Sequence, residues 1–390
     1  MSERLRSPGS QASLREANRG RVVDAVKKHG GLTQVELAGA TGLSAATVSN
    51  IVKELVATGA LHATPSTYSG RRALRVTLPH DLGVVVGIHV SPRHLHVALS
   101  DLNGVELVER HMPLARDHRA DNELDKIALL IMDLVESIDS GLDEVLAVGL
   151  AVAAPINRAT GMTARAGILR GWDGIAIAES LEKRIRRPVT VDNSANLAAL
   201  AEYRAGAARG RATSITIDAG DGIGAGLVLD GRLFRGFHGV AGEFGHVPIM
   251  SAGPTCRCGN RGCLEAVAGA PAVLESIREA VGPLKLVDLI LRAMSGDAAC
   301  VRAIGDAGHT IGTAAAGLCN VLDPERIVVT GEFARAGELL LGPLRRALES
   351  RLLVEPDGTP EVVQGQLGAK AAVTGAVSLA IESVDLRQTT

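Results

Sequence analysis

One histidine and three cysteines within eighteen residues, His246, Cys256, Cys258 and Cys263, restrict this chain more than any other feature. Thiolate sulfur and imidazole nitrogen are the donors Zn2+ prefers, and four of them close a tetrahedron with no position left for a reacting water. The set therefore predicts a structural zinc centre. Buried thiols clustered by chance are the alternative. Cys300 and Cys319 stand apart, at no spacing that suggests pairing. Two carboxylates, Glu243 and Glu265, flank the four donors. Acids beside a metal-held histidine suggest a polar ligand site fixed by the metal; two solvated surface acids would give the same pattern.

A length of 390 residues allows two or three domains. Only 2% of the chain is aromatic, so the core must be built from Ala, Val, Leu and Ile, and base stacking on single strands is disfavoured. The sequence shows no apolar leader and no run of about eighteen apolar residues, from which we expect a cytoplasmic protein that does not span a membrane. Charge is split along the chain. Residues 1–80 carry eleven Lys and Arg against five Asp and Glu, and residues 81–390 carry thirty against thirty-eight. A basic front on an acidic remainder suggests a small nucleic-acid-binding module attached to a larger domain.

The front supports that division. Residues 14–29 read as a helix stopped by Gly30 and Gly31. Thr33 and Glu36 form a capping box for a second, short helix. After Gly42, Ser44 caps a third helix whose Val48, Ile51, Val52 and Leu55 make one apolar stripe. Its other faces offer Ser44, Thr47, Ser49, Asn50 and Lys53, small polar or basic groups suited to base edges and phosphates. The pattern is that of a helix-turn-helix or of a plain helical hairpin. Residues 61–64 and 74–78 then read as short strands around a polar loop, 66–72, which favours the winged form. Arg71, and second Arg72, could enter a minor groove from the wing tip, or merely project into solvent. Residues 1–13, rich in Ser and Arg, are expected to order only on DNA.

Beyond residue 80 buried strands at 84–88, 95–99, 145–150, 189–191, 214–217 and 326–330 alternate with helices near 124–138, 175–186 and 371–381, an α/β pattern. Asp218 to Gly226 is glycine-rich. Such a segment either brings backbone amides to a phosphate or makes a tight turn between strands.

Together these pieces resemble the ROK family, named for repressors, open reading frames and sugar kinases. Its most specific motif, Gly-Glu-x-Gly-His followed by CxCGxxGCxE, is matched in full by Gly242 to His246 and Cys256 to Glu265. The resemblance covers nearly the whole chain. It implies a winged helix-turn-helix at 1–80 and, at 81–390, a two-lobed actin-like or hexokinase-like domain of the ribonuclease H-like class. It also implies zinc on His246, Cys256, Cys258 and Cys263, with Asn193, Glu243, His246 and Glu265 facing a sugar. The two nitrogens of His246 could serve the metal and the ligand separately.

Kinase members need an Asp as general base in a Glu-Asn-Asp-x-Asn motif, and here Asp192-Asn193-Ser194-Ala195-Asn196 places Ser194 at that position. A hydroxyl cannot take the proton near neutral pH, which removes a contribution of roughly 10² to 10⁴ in rate. The first phosphate motif, Asp-Ile-Gly-Gly-Thr, is replaced by His89-Val90-Ser91-Pro92-Arg93, and Asp221 stands where the second has Thr. Ile168 replaces a sugar-binding Asn. The expectation is thus a non-enzymatic, DNA-binding regulator, a repressor of carbohydrate-use genes. It would bind a double-stranded operator and a sugar-type effector, as a homodimer or homotetramer. A bifunctional ATP-dependent sugar kinase is the alternative.

Overall fold

The structure, a computed structural model, describes residues 11–68, 71–115, 118–353 and 358–386. The front begins with α1 (Gln11–His29), β1 (Leu32–Thr33), α2 (Gln34–Thr41) and α3 (Ala45–Ala57). The capping box is formed: the Thr33 amide donates to Glu36 Oε2 at 2.8 Å, and the Glu36 amide donates back to Thr33 Oγ1 at 3.3 Å. Gly42, at φ 69°, ends α2 in the left-handed region open to glycine. Ser44 then accepts the Thr47 amide at 3.1 Å, and Val48, Ile51, Val52 and Leu55 are buried.

The wing differs from expectation. β2 (His62–Tyr68) and β3 (Arg71–Thr77) stay paired from His62↔Thr77 to Tyr68↔Arg71, so most of the expected loop at 66–72 is strand. Polarity there marks a solvated sheet face, and the edge position of β2 tolerates Pro65. Its tip, Ser69 and Gly70, lies outside the described residues. So do residues 1–10, most of the segment expected to order on DNA, whereas 11–13 already belong to α1.

Two five-stranded sheets of one plan make the remainder. The first holds β4 (Val84–Val90), β5 (His94–Asp101), β6 (Glu106–Pro113), β7 (Val145–Val152) and β8 (Val189–Asn193), in the order β6-β5-β4-β7-β8. Its helices are α4 (Ala120–Glu136) and α5 (Ile177–Ile185), followed by α6 (Ser194–Ala205). The second repeats that order with β9 (Ser214–Ala219), β10 (Ile223–Leu229), β11 (Arg232–Phe234), β12 (Arg326–Thr330) and β13 (Glu361–Gln364): β11-β10-β9-β12-β13. Each sheet has an antiparallel meander joined to parallel strands by helical crossovers. Helices α7 (Leu264–Ala268), α8 (Ala270–Ser276), α9 (Arg278–Val281), α10 (Leu286–Met294), α11 (Ala298–Leu322) and α12 (Glu338–Glu349) belong to the second lobe.

The final helix, α13 (Ala371–Ser383), returns to the first lobe. It lies against β4, β7 and α6, and only glycine fits at these crossings. A Cβ on Gly149 would sit 2.0 Å from the Ala376 carbonyl, and one on Gly375 1.9 Å from that of Leu197. The end of α13 enters the front module: Val377, Ala380, Ile381 and Val384 share one core with Val22, Val26 and Leu78. Lys27 donates to the Val384 carbonyl, and Asn103 clamps both backbone groups of Leu78 at 2.9 and 3.0 Å. The front module is seated on the first lobe.

Candidate ligand cleft and metal centre

The metal box grows from the connection between β11 and α7. His246 Nδ1 faces Cys256 Sγ at 3.5 Å, Cys258 and Cys263 sulfurs are 3.7 Å apart, and all four donor atoms lie within 4.8 Å of one another. A tetrahedron with metal–sulfur bonds of about 2.3 Å has edges of about 3.8 Å, so the spacing fits one ion. Burial and the neighbouring thiols push Cys263 up to about 12, so a bound cation must displace protons. The chain enters from the second lobe, yet the three cysteines pack in the core of the first.

A cleft of about 550 Å³ opens between the lobes beside this box. At its near end, His246 Nε2 lies 3.9 Å from Glu243 Oε2, so the two ring nitrogens do face separate partners. Burial, and then the charge of Glu265, push the Glu243 carboxyl up to about 7, against the pull of Arg257. Asn193 caps α6 through Oδ1, which accepts the Ala195 amide at 2.7 Å, while Nδ2 donates to Glu243 and to the Ala154 carbonyl, each at 3.1 Å. Glu265 accepts from Arg257 at 2.5 Å and from the Ile223 amide at 3.1 Å. The structure thus brings Asn193, Glu243, His246 and Glu265 to one wall. Ile168, also lining the cleft, is buried.

At the far end Ser91 Oγ accepts the Arg93 and His94 amides at 3.3 and 3.0 Å, and Pro92 has none to offer. Gly220 to Gly222 make a tight turn between β9 and β10, the Gly220 amide donating to the Gly222 carbonyl. Arg93 meets Asp221 at 3.0 Å across the cleft.

In the front module Ser44 and Asn50 are exposed, whereas Thr47 and Ser49 are half-buried. Ser44 and Thr47 hydroxyls bond each other at 2.8 Å, so Ser44 acts first as a cap. Arg72 is exposed on β3; the side chain of Arg71 lies outside the described residues.

The ROK family profile matches residues 85–383, and a MarR family profile matches residues 17–72. The chain belongs to the ROK family. The xylose repressor of Caldicellulosiruptor bescii is 26% identical over 96% of this chain and 98% of its own length. A glucokinase of Thermotoga maritima is 30% identical over 70% of this chain and 90% of its own. Among solved structures, a ROK transcriptional regulator described as a homolog of E. coli MLC superposes with a TM-score of 0.77, at 24% identity, covering 96% of this chain and 98% of its own. The α/β class, the winged front module and the actin-like, hexokinase-like lobes expected from sequence are all present.

Sequence reasoning missed several residues in this ROK cleft. Arg257, inside the cysteine motif, supplies the cation that engages Glu265. Arg235 holds Asp192 at 2.6 Å, beside Asn193. His94, His96 and His111 join His89 on the far wall; their signal was present as histidines two apart in strand 94–101.

Proposed function

We propose that this ROK protein is a sugar-responsive transcriptional repressor that carries out no phosphoryl transfer. This reading is carried by a winged helix-turn-helix, with α3 open on one side, that shares a core with a lobe whose kinase-like cleft has Ser194, Ser91 to Arg93 and Asp221 at the positions of the kinase motifs. Ser194 stands at the base position. The backbone donors after β4 are consumed by Ser91, and the Arg93–Asp221 pair crosses the path of a phosphate chain. Full-length similarity to a protein named as a repressor supports the same conclusion.

The residues at the metal box fit zinc, which would supply a closed tetrahedral anchor for the loop bearing His246. Asn193, Glu243, His246 and Glu265 would bind the sugar. A hydroxyl pair can take over Glu265 from Arg257 and Glu243 from Asn193, shifting the population between lobe arrangements. Ser49, Asn50 and Arg72 would meet DNA, with Arg71 beside them and Ser44 setting the entry of α3. Two such modules in a homodimer or homotetramer would read a palindromic site, in the cytoplasm.

Fluorescence anisotropy on duplexes enriched from a random pool tests this directly. We expect a preferred palindrome whose affinity falls when the cognate sugar is added, and by linkage an equal fall in sugar affinity when operator is added. Sugar affinity that ignores operator would defeat the coupling. The 30% identity to a glucokinase favours the kinase alternative as a second reading. A coupled assay with Mg-ATP across common hexoses and pentoses decides it, and we expect no turnover.

A further inference from the structure

The far wall of the cleft is a row of imidazoles. His89 on β4, His96 on β5 and His111 on β6 are successive cross-strand partners, so their side chains leave the same face of the first sheet. His94 and Glu109, each two residues along a strand from a member of the row, share that face. His94 and His111 stand nearly parallel, with ring centres 5.0 Å apart, and His96 meets His111 edge-on at 5.5 Å. Glu109 fixes this wall: its carboxylate bonds His96 Nε2 at 2.8 Å and receives Lys370 Nζ at 2.7 Å. His89 makes no hydrogen bond among the described residues. Burial and the other three histidines push it down to about 4, which leaves a neutral ring with one donor and one acceptor toward the cleft. Opposite, Asp218 likewise has no partner among the described residues.

This surface is a poor phosphate cradle. The amides of the turn after β4 are satisfied by Ser91, and Asp218, Asp221 and Glu332 face the space. Arg93 is paired to Asp221, and Lys370 to Glu106 and Glu109, which leaves exposed Arg335 as the cation of this end of the cleft without an ion pair among the described residues. Imidazoles and carboxylates instead suit hydroxyl groups, giving each a donor or an acceptor, and the outer face of the stacked His94–His111 pair can cover the C–H side of a pyranose in a chain with so few aromatic rings. Space allows it. The cleft, at about 550 Å³, lies within the range of about 300 to 1,000 Å³ of pockets that enclose drug-sized ligands, the size class of a disaccharide.

We infer that the histidine wall is a second glycosyl subsite, so that the effector is a disaccharide or glycoside with one ring at His246 and the other at His94 and His111. This rests on the sugar-binding reading above. The test is titration calorimetry of the full chain with xylose and xylobiose, glucose, cellobiose and maltose, N-acetylglucosamine and chitobiose, and glucose 6-phosphate. We expect one disaccharide to bind at least tenfold tighter than its monosaccharide. We also expect His111→Ala, at the exposed rim where folding is not at risk, to remove most of that preference, and His94→Ala to do the same. A monosaccharide binding as tightly as every disaccharide, or glucose 6-phosphate binding tightest, overturns the second subsite and leaves sugar recognition standing. So does an unchanged disaccharide preference in the His111→Ala protein. Binding of none of these sugars by protein that still binds DNA overturns both.

Discussion

Among individual residues, Asp218 carries the clearest electrostatic cost. Burial pushes its carboxyl from 3.8 up to about 6, with no cation to offset it. Above pH 6 the group is ionised in both folded and unfolded chains, and only the folded one bears the desolvation; below about pH 4 it is neutral in both. Asp218→Asn should therefore stabilise the protein at pH 8, on the order of 2 kcal/mol, by an amount that shrinks as pH falls below 6. Urea unfolding at pH 8 and pH 5 measures it, and an equal gain at both would contradict the assignment. Arg257 shows what a motif conceals: the pattern CxCGxxGCxE leaves that position open, yet its guanidinium occupies Glu265. Nothing in the linear spacing of the cysteines says which way an intervening side chain points.

At the scale of elements, two features are set by close fit. The capping box at the start of α2 satisfies orphan amides locally, so Thr33→Ala should cost about 1 kcal/mol of stability. It should weaken operator binding and leave sugar affinity unchanged, as thermal melts and paired titrations would show. At the crossing of β7 and α13 there is no room for a side chain. Gly149→Ala would place its methyl against the Ala376 carbonyl and should cost about 1 to 3 kcal/mol, read from the urea midpoint. The capping box and the apolar stripe of α3 were legible in the sequence because each is decided within one turn or two. The length of β2 and β3 was not. Polar residues at 66–72 look like a loop until a partner strand is known to lie beside them.

In the whole molecule, the metal box and the front module both cross boundaries that the sequence suggests. The cysteines arrive from the second lobe and pack into the first, so loss of an ion bound by them should loosen the cleft before it unfolds the front module. Chelation, or Cys258→Ser, is expected to lower sugar affinity at least tenfold while operator affinity changes less than threefold. Equal loss of both would mean that the metal supports the fold alone. The front module shares its core with the end of α13, and Arg204 on α6 pairs with Glu382 beside that junction. Since α6 begins at Asn193 in the cleft, helices α6 and α13 form a continuous packed connection from ligand wall to DNA-binding module.

The sequence by itself determined the family, the fold class, the His and Cys cluster that could hold a metal ion, and the outline of the winged module. Each follows from short-range rules: ligand spacing, helix caps, apolar periodicity and a motif of fixed length. Tertiary structure alone decided that His89, His96 and His111 form one wall, that Arg93 meets Asp221, and that a helix near residue 380 completes a core begun near residue 22. Strand register and lobe packing make those contacts between residues as much as hundreds of positions apart, and no local pattern records which distant surface a side chain will meet.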